Sequence, residues 1–403
     1  MGVMANPYAV IVVGLGAMGS AALYQLSRRG VTTLGIDRFH PPHDLGSSHG
    51  DTRITRLALG EGEHYVQFAR RSHQIWRELE SATGRSLLHC VGGLIYGSTT
   101  GRARAHGASD FLQTTIDVAR LHGIGHEVLG ASALGERFPQ FKWSGDELGY
   151  LEHDAGFLRP EACIAAQLEQ ATRLGATIQT GEQLINWVPW ASGVAVTTDR
   201  GHYEAEQLIV CTGAWLPGLI PQLAARTKVF RQVLFWFQPD GPQDIFTPDR
   251  MPVYIRVPDE ENAMFYGFPA INGPNGGFKM AGEQFDRTCA PDEINRKVSS
   301  GEMAAMHALA APRLRMSSRC LRTVACKYTV TPDFHFVIDH ASDTDRVWFA
   351  SACSGHGFKH SAAVGEALAE MTTEGRTQFD LSAFRLDRFA SGSQFQAEDR
   401  CQS

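Results

Sequence analysis

Residues 8–37 constrain the fold more than any other part of the chain. Tyr8-Ala-Val-Ile-Val-Val13 is an apolar, β-rich run with the character of a strand buried on both faces. Gly14-Leu-Gly16-Ala-Met-Gly19 follows at once, then helical spacing over Ser20–Arg29 closed by Gly30, and a second strand at Val31–Ile36 that ends in Asp37. Strand, glycine turn, helix and strand in about thirty residues form the βαβ unit of a doubly wound sheet. Gly14 permits the tight turn, Gly16 lets backbone approach a pyrophosphate, and Gly19 lets helix and strand pack closely. The helix N-terminal amides face the phosphates, and Asp37 is placed to accept a ribose hydroxyl. The unit points to dinucleotide binding, against a glycine turn used only for packing. An acid at position 37 disfavours NADP but does not separate FAD from NAD.

The remaining pattern places this unit in a larger α/β frame. At about 150 residues per domain, 403 residues make two or three domains. Helical spacing runs over His64–Ser81, Arg104–His122, Ser132–Arg137, Arg159–Leu174, Asp292–Leu309 and Phe358–Thr373. Strands are expected at Val91–Tyr96, from Leu148, across Ala176–Thr198, at Leu208–Cys211 and at Val347–Ala352. Lys228–Phe237, Val253–Val257, Ala263–Phe268 and Gly277–Ala281 have the look of a mostly antiparallel sheet. Doubly wound pieces therefore stand at the start, middle and end, with antiparallel material between them.

Composition closes off other classes. Lys plus Arg total 37 against 43 Asp plus Glu, a net charge of −6, and no basic block concentrates positive charge, so no nucleic-acid partner is expected. No run of 18 apolar residues occurs, so no membrane span is expected, and Met1–Pro7 lacks the basic region of a signal peptide. Eight cysteines without a Cys-x-x-Cys pair argue against a disulfide scaffold and a structural metal. A reducing cytoplasm is the expected compartment, and the polar 390–403 segment is expected to be a disordered tail.

Gly46-Ser-Ser-His-Gly-Asp-Thr-Arg-Ile-Thr-Arg56, Ala325-Cys-Lys-Tyr328 and Ala352-Cys-Ser-Gly-His-Gly-Phe-Lys359 are the most distinctive stretches. Together they resemble the monomeric sarcosine oxidase family, FAD-dependent amine oxidases that include N-methyl-tryptophan oxidase. The likeness runs from Tyr8 to about Phe389. Phe230-Arg-Gln-Val-Leu-Phe-Trp236 and the 379–389 segment lean toward the N-methyl-tryptophan branch. The resemblance implies a Rossmann-type FAD-binding domain assembled from residues 6–87, 148–219 and 328–389. It implies a mostly antiparallel substrate domain from 88–147 and 220–327.

It also implies roles for single residues. Cys326, which by itself reads as a buried core thiol, matches the cysteine that carries FAD through an 8α-thioether; Cys320 is its nearest rival. Arg56 and Lys359 match the pair that holds a substrate carboxylate, which suits bidentate Arg and point-charge Lys chemistry. Arg53 matches an arginine near the flavin ring; the alternative for the residue alone is a domain-closing salt bridge. Tyr266 and Tyr328 match aromatics of the substrate pocket, or else are core aromatics. His49, Thr52, Gly355 and Gly357 match the flavin side, and His356 shapes a turn. Lys279 matches the family's candidate for oxygen activation, since a fixed cation stabilises charge developing on O₂. Relatives carry a histidine four residues after this lysine, where this chain has Glu283; Tyr254 replaces smaller residues and is expected to narrow the pocket.

The implied activity is oxidation of a secondary, N-methyl amino acid by hydride transfer to covalent FAD. O₂ is the acceptor, and the enzyme is expected to be a monomer. Its rivals are an amine dehydrogenase with another acceptor and a non-catalytic flavin-binding subunit.

Overall fold

The computed structural model describes residues 8–99, 106–108, 110–257, 264–273 and 275–389. The expected tail at 390–403, the N-terminal segment and the start of the Arg104–His122 helix lie outside them.

The apolar run at Tyr8–Val13 is the centre of an eight-stranded sheet. It pairs in parallel with Thr33–Asp37 on one side and His202–Val210 on the other. Thr177–Thr180 extends the sheet past Thr33–Asp37. Val347–Ser351 adds in parallel beyond Leu208–Val210, and an antiparallel hairpin of Leu184–Trp190 and Gly193–Thr198 joins the other end of the same strand. The helix after the glycine turn, Ala17–Arg28, is buried over nearly its whole length, because its Ala, Gly and Ser positions admit two neighbours. A Cβ on Gly365 of helix Ser361–Glu374 would stand 2.4 Å from Ala21 Cβ, and Ser20 Oγ donates to Gln167 of helix Pro160–Arg173 at 2.8 Å.

A second eight-stranded sheet runs in the order Met316–Val330, Lys228–Pro239, Phe278–Gly282, Phe265–Gly267, Val253–Arg256, Gly93–Ser98, Glu147–Glu152 and His126–Gly130. All its pairings are antiparallel except Val253–Arg256 with Gly93–Ser98, as expected of a mostly antiparallel layer. Arg53–Thr55, Gly156–Leu158 and Leu88–Cys90 form a small third sheet. Among the described residues no helix is long and apolar enough to cross a membrane.

Four expectations need correction. Met316–Val330 is a fifteen-residue strand that the pattern does not announce. It is an edge strand, and its first half faces solvent with Ser317, Ser318, Arg319 and Arg322, which breaks the apolar run. Residues 292–299 are not helical. A capping box of Ser299 and Glu302 starts the helix at Ser300, while the carbonyls of Asn295 and Lys297 accept from the Arg231 guanidinium. Asp110 caps the helix expected from Arg104, which begins at Phe111. Leu148–Glu152, placed by the 148 boundary with the nucleotide-binding segments, continues the strand Glu147–Glu152, which pairs with Gly93–Ser98 from Gly93↔Glu152 to Ser98↔Glu147 in the second sheet.

Candidate active site

A cavity of about 410 Å³ lies between the two large sheets, within the size range of cofactor and ligand sites. Its first end is the glycine turn. Gly14 adopts φ +85°, and a Cβ there would meet Cys211 O at 2.6 Å. Gly19 does not line the cavity: a Cβ on it would fall 1.8 Å from Gly14 O, so its role is packing. A Cβ on Gly16, by contrast, would meet nothing within 4 Å, so backbone is presented to open space at the helix N-terminus. Asp37 accepts from Leu15 N and Phe39 N, each at 2.7 Å, which fixes its carboxylate beside the turn. Thr212 lines the same end, and its Oγ1 is buried without a hydrogen-bond partner. An open glycine cradle, a positioned acid and an orphaned hydroxyl fit a dinucleotide.

The middle of the cavity is built by the 46–56 loop against the second sheet. Lys279, 2% exposed, lies on Phe278–Gly282, where alternation sends Phe278 and Met280 into the core and Lys279 toward the loop. Its Nζ donates to Gly50 O at 2.6 Å, Thr52 O at 2.8 Å and Thr52 Oγ1 at 3.1 Å. Burial and then Arg53 push its pKa well down, while three acceptors match the three N–H groups of an ammonium. Arg53 donates to Thr52 O at 2.8 Å and Ser47 O at 2.7 Å, and stands 3.8 Å from Cys326 Sγ. Cys326 is buried behind Ser47 and Arg53, which line the cavity, and is not itself part of the lining. Cys320, on the same strand, faces elsewhere, its Sγ against Arg322 O. Two other thiols line the cavity, Cys211 at the glycine turn and Cys353 on the wall that carries Gly355 and Gly357. His49 is buried off the lining, drawn down to about pKa 3 by burial and then by Arg53, and its Nε2 has no partner.

The far end gathers the remaining side chains. Tyr266 and Tyr328 meet hydroxyl to hydroxyl at 2.9 Å, and burial raises both pKa values, Tyr266 to about 12. Arg56 and Lys359, 3% and 5% exposed, both reach Glu61, at 2.7 and 3.4 Å. Glu61, five residues after Arg56, was not singled out from sequence. Burial opposes its charge, but Arg56 and Lys359 hold its pKa well below the usual carboxylate range. Glu152 accepts from Leu57 N at 2.7 Å and Ala58 N at 3.0 Å and so fixes the backbone that carries Arg56. His106, also missed, joins Glu61 and Glu283. Gly355 and Gly357 line this wall: a Cβ on Gly355 would press on Tyr328 at 3.0 Å, and one on Gly357 would fall 1.8 Å from Ala352 O. His356, in that turn, has its Nε2 3.1 Å from Phe334 O. Tyr254 does not narrow the pocket. Strand alternation turns it into the core beside Phe141 and Phe265, and Ile255 faces the cavity instead.

Comparison with known proteins agrees with this geometry. The sequence pattern of the family described as FAD dependent oxidoreductase matches residues 9–371. The chain is 38% identical over 397 residues to monomeric sarcosine oxidase of Streptomyces avermitilis, which covers 96% of this chain and 99% of that protein. It is 34% identical over 385 residues to N-methyl-L-tryptophan oxidase of Yersinia pestis, with 95% and 99% covered. The solved structure of NikD, an unusual amino acid oxidase essential for nikkomycin biosynthesis, matches with a TM-score of 0.79 at 24% identity over 94% of this chain and 97% of that one, a likeness of fold. With a dinucleotide cradle at one end of its cavity and paired buried cations at the other, this chain belongs to the FAD-dependent oxidoreductase family that contains the monomeric sarcosine and N-methyl-L-tryptophan oxidases.

Proposed function

We propose that the protein oxidises a secondary, N-methyl amino acid, with O₂ as electron acceptor and FAD attached through Cys326. The observation that carries this reading is the meeting of Arg56 and Lys359, from opposite ends of the chain, on one wall of the cavity that begins at the glycine cradle. Two cations in low dielectric recognise a carboxylate, and the Arg fork orients it. Tyr266 and Tyr328 flank that position and shield the reacting carbon from water. Gly14, Gly16, Asp37 and Thr52 would hold FAD, which when bound takes two electrons from the substrate and returns them to O₂. Lys279 places a fixed ammonium at the cavity wall, suited to charge developing on oxygen.

For an N-methyl substrate, the methyl carbon loses two electrons and becomes an imine. Water then hydrolyses the imine, so that R–NH–CH₃, O₂ and H₂O become R–NH₂, formaldehyde and hydrogen peroxide. The name of the sarcosine oxidase relative supports a monomer, and the sparse cysteines, unpaired among the described residues, support a cytoplasmic setting. The experiment is a panel of N-alkyl amino acids assayed for peroxide release and for anaerobic flavin bleaching. Bleaching with peroxide supports an oxidase; bleaching with none on admission of air indicates a dehydrogenase, and no bleaching with any amine rejects the activity.

A further inference from the structure

His106 lies between β-sheet and helix, ahead of Phe111–Leu121, and its ring enters the far end of the cavity. Nδ1 faces Glu61 Oε1 at 3.3 Å, and Nε2 contacts Glu283 Oε1. The side chains of His106 and Glu283 are 7% and 10% exposed. A neutral imidazole has one N–H and one bare nitrogen, so a ring with carboxylate oxygens at both nitrogens is held as imidazolium. Burial opposes that charge; Glu283 and Glu61 overcome it and lift the pKa to about 9. The ring stacks on His356, 5.3 Å between centroids, and meets Phe111 and Phe334 at its other sides. Burial drives the His356 pKa well below its usual value, so His356 adds no charge.

We infer that His106 is a positioning residue for substrate: its charge offsets Glu61 and Glu283, and Arg56 and Lys359 are thereby left able to take the substrate carboxylate. This rests on the carboxylate role proposed for Arg56 and Lys359. Among the described side chains that line this end of the cavity, two carboxylates, Glu61 and Glu283, stand against three cations, Arg56, Lys359 and His106, while Glu152 lies behind the lining, accepting from Leu57 N, Ala58 N and the Tyr150 hydroxyl. One positive charge is in excess, and a bound monocarboxylate brings the group to neutrality. Without the imidazolium, the same carboxylate would enter a site already neutral and leave a buried negative charge, which low dielectric penalises. Glu283 thus acts together with His106 as a neutral pair, not as an acid facing substrate.

The test uses the flavin-loaded enzyme, with acetate and propionate as probes. Their dissociation constants are measured by calorimetry, beside KM and the saturating anaerobic reduction rate for the best substrate. In His106→Gln, both carboxylates should bind about ten- to a hundredfold more weakly, as for loss of a charge-assisted contact. KM should rise in parallel, with the saturating reduction rate within a few-fold of wild type. Adding Glu283→Gln to His106→Gln should restore most of the affinity. Glu283→Gln alone leaves Arg56 and Lys359 against Glu61 whether or not His106 keeps its proton, so it should bind the probes at least as tightly as wild type, and this arm stands even if His106→Gln fails to fold. Unchanged affinity in His106→Gln, no restoration in the double variant, or weaker binding than wild type in Glu283→Gln would each overturn the inference. Arg56→Met and Lys359→Met separate it from the reading beneath: if they leave probe binding unchanged, the carboxylate site itself is misplaced, whereas their effect with a silent His106→Gln defeats only the role of His106.

Discussion

Glu61 binds Arg56 at 2.7 Å through one carboxylate oxygen and Lys359 at 3.4 Å through the other, so a single buried acid spans both cations expected to hold substrate. In Glu61→Gln three buried cations, Arg56, Lys359 and His106, lose a partner. Breaking a buried pair by removing one side costs about 3–5 kcal/mol. Chemical denaturation should show a loss of that order, and millimolar acetate should recover part of it in the variant and much less in wild type. A variant as stable as the parent would mean that solvent compensates the cations.

Lys359 gives the site a pH dependence of definite sign. Burial is the largest influence and lowers its pKa to about 8, against the pull of Glu61. The ammonium is present below that value and lost above it. Carboxylate inhibition should therefore be strongest below about pH 8 and weaken as pH rises through it, with His106, near 9, acting in the same direction. Inhibition constants measured from pH 6.5 to 10 check this, and the lower step should vanish in Lys359→Met.

Attachment of FAD at Cys326 is tested by colour. After acid denaturation the yellow chromophore should stay with the precipitated chain of the wild type and move to the supernatant in Cys326→Ser. Cys353→Ser is the necessary companion, because that thiol lines the cavity; retention of colour in Cys326→Ser and its loss in Cys353→Ser would reassign the link.

Lys279 should matter most to the oxygen half of the cycle. Removing one preorganised charge-stabilising group typically costs about a hundred- to a thousandfold. Lys279→Met should slow flavin reoxidation by that order in stopped flow, with anaerobic reduction affected less. Reoxidation at the wild-type rate would remove Lys279 from the oxygen site.

Sequence by itself determined the nucleotide end of the cavity, because everything there is local. Gly14, Gly16 and Gly19 work through the conformation and clearance of one turn, and Asp37 reaches that turn from the next strand. Arg53, Arg56, Lys279, Tyr266, Tyr328 and Lys359 were legible through family resemblance, and all six line one cavity. Tertiary structure decided which of them already have partners. Glu61 is an ordinary acid in a glycine turn until Lys359 is brought to it from the C-terminal region, and His106 carries no local signal at all. The two faces of one short strand were decided the same way: Ile255 lines the cavity while Tyr254, one residue earlier, fills the core. Spacing encodes the period of an element and the turn that ends it. Which face looks into a cavity, and which distant charge neutralises which, depends on pairings such as Met316–Val330 with Lys228–Pro239, and these exist only once the chain has closed on itself.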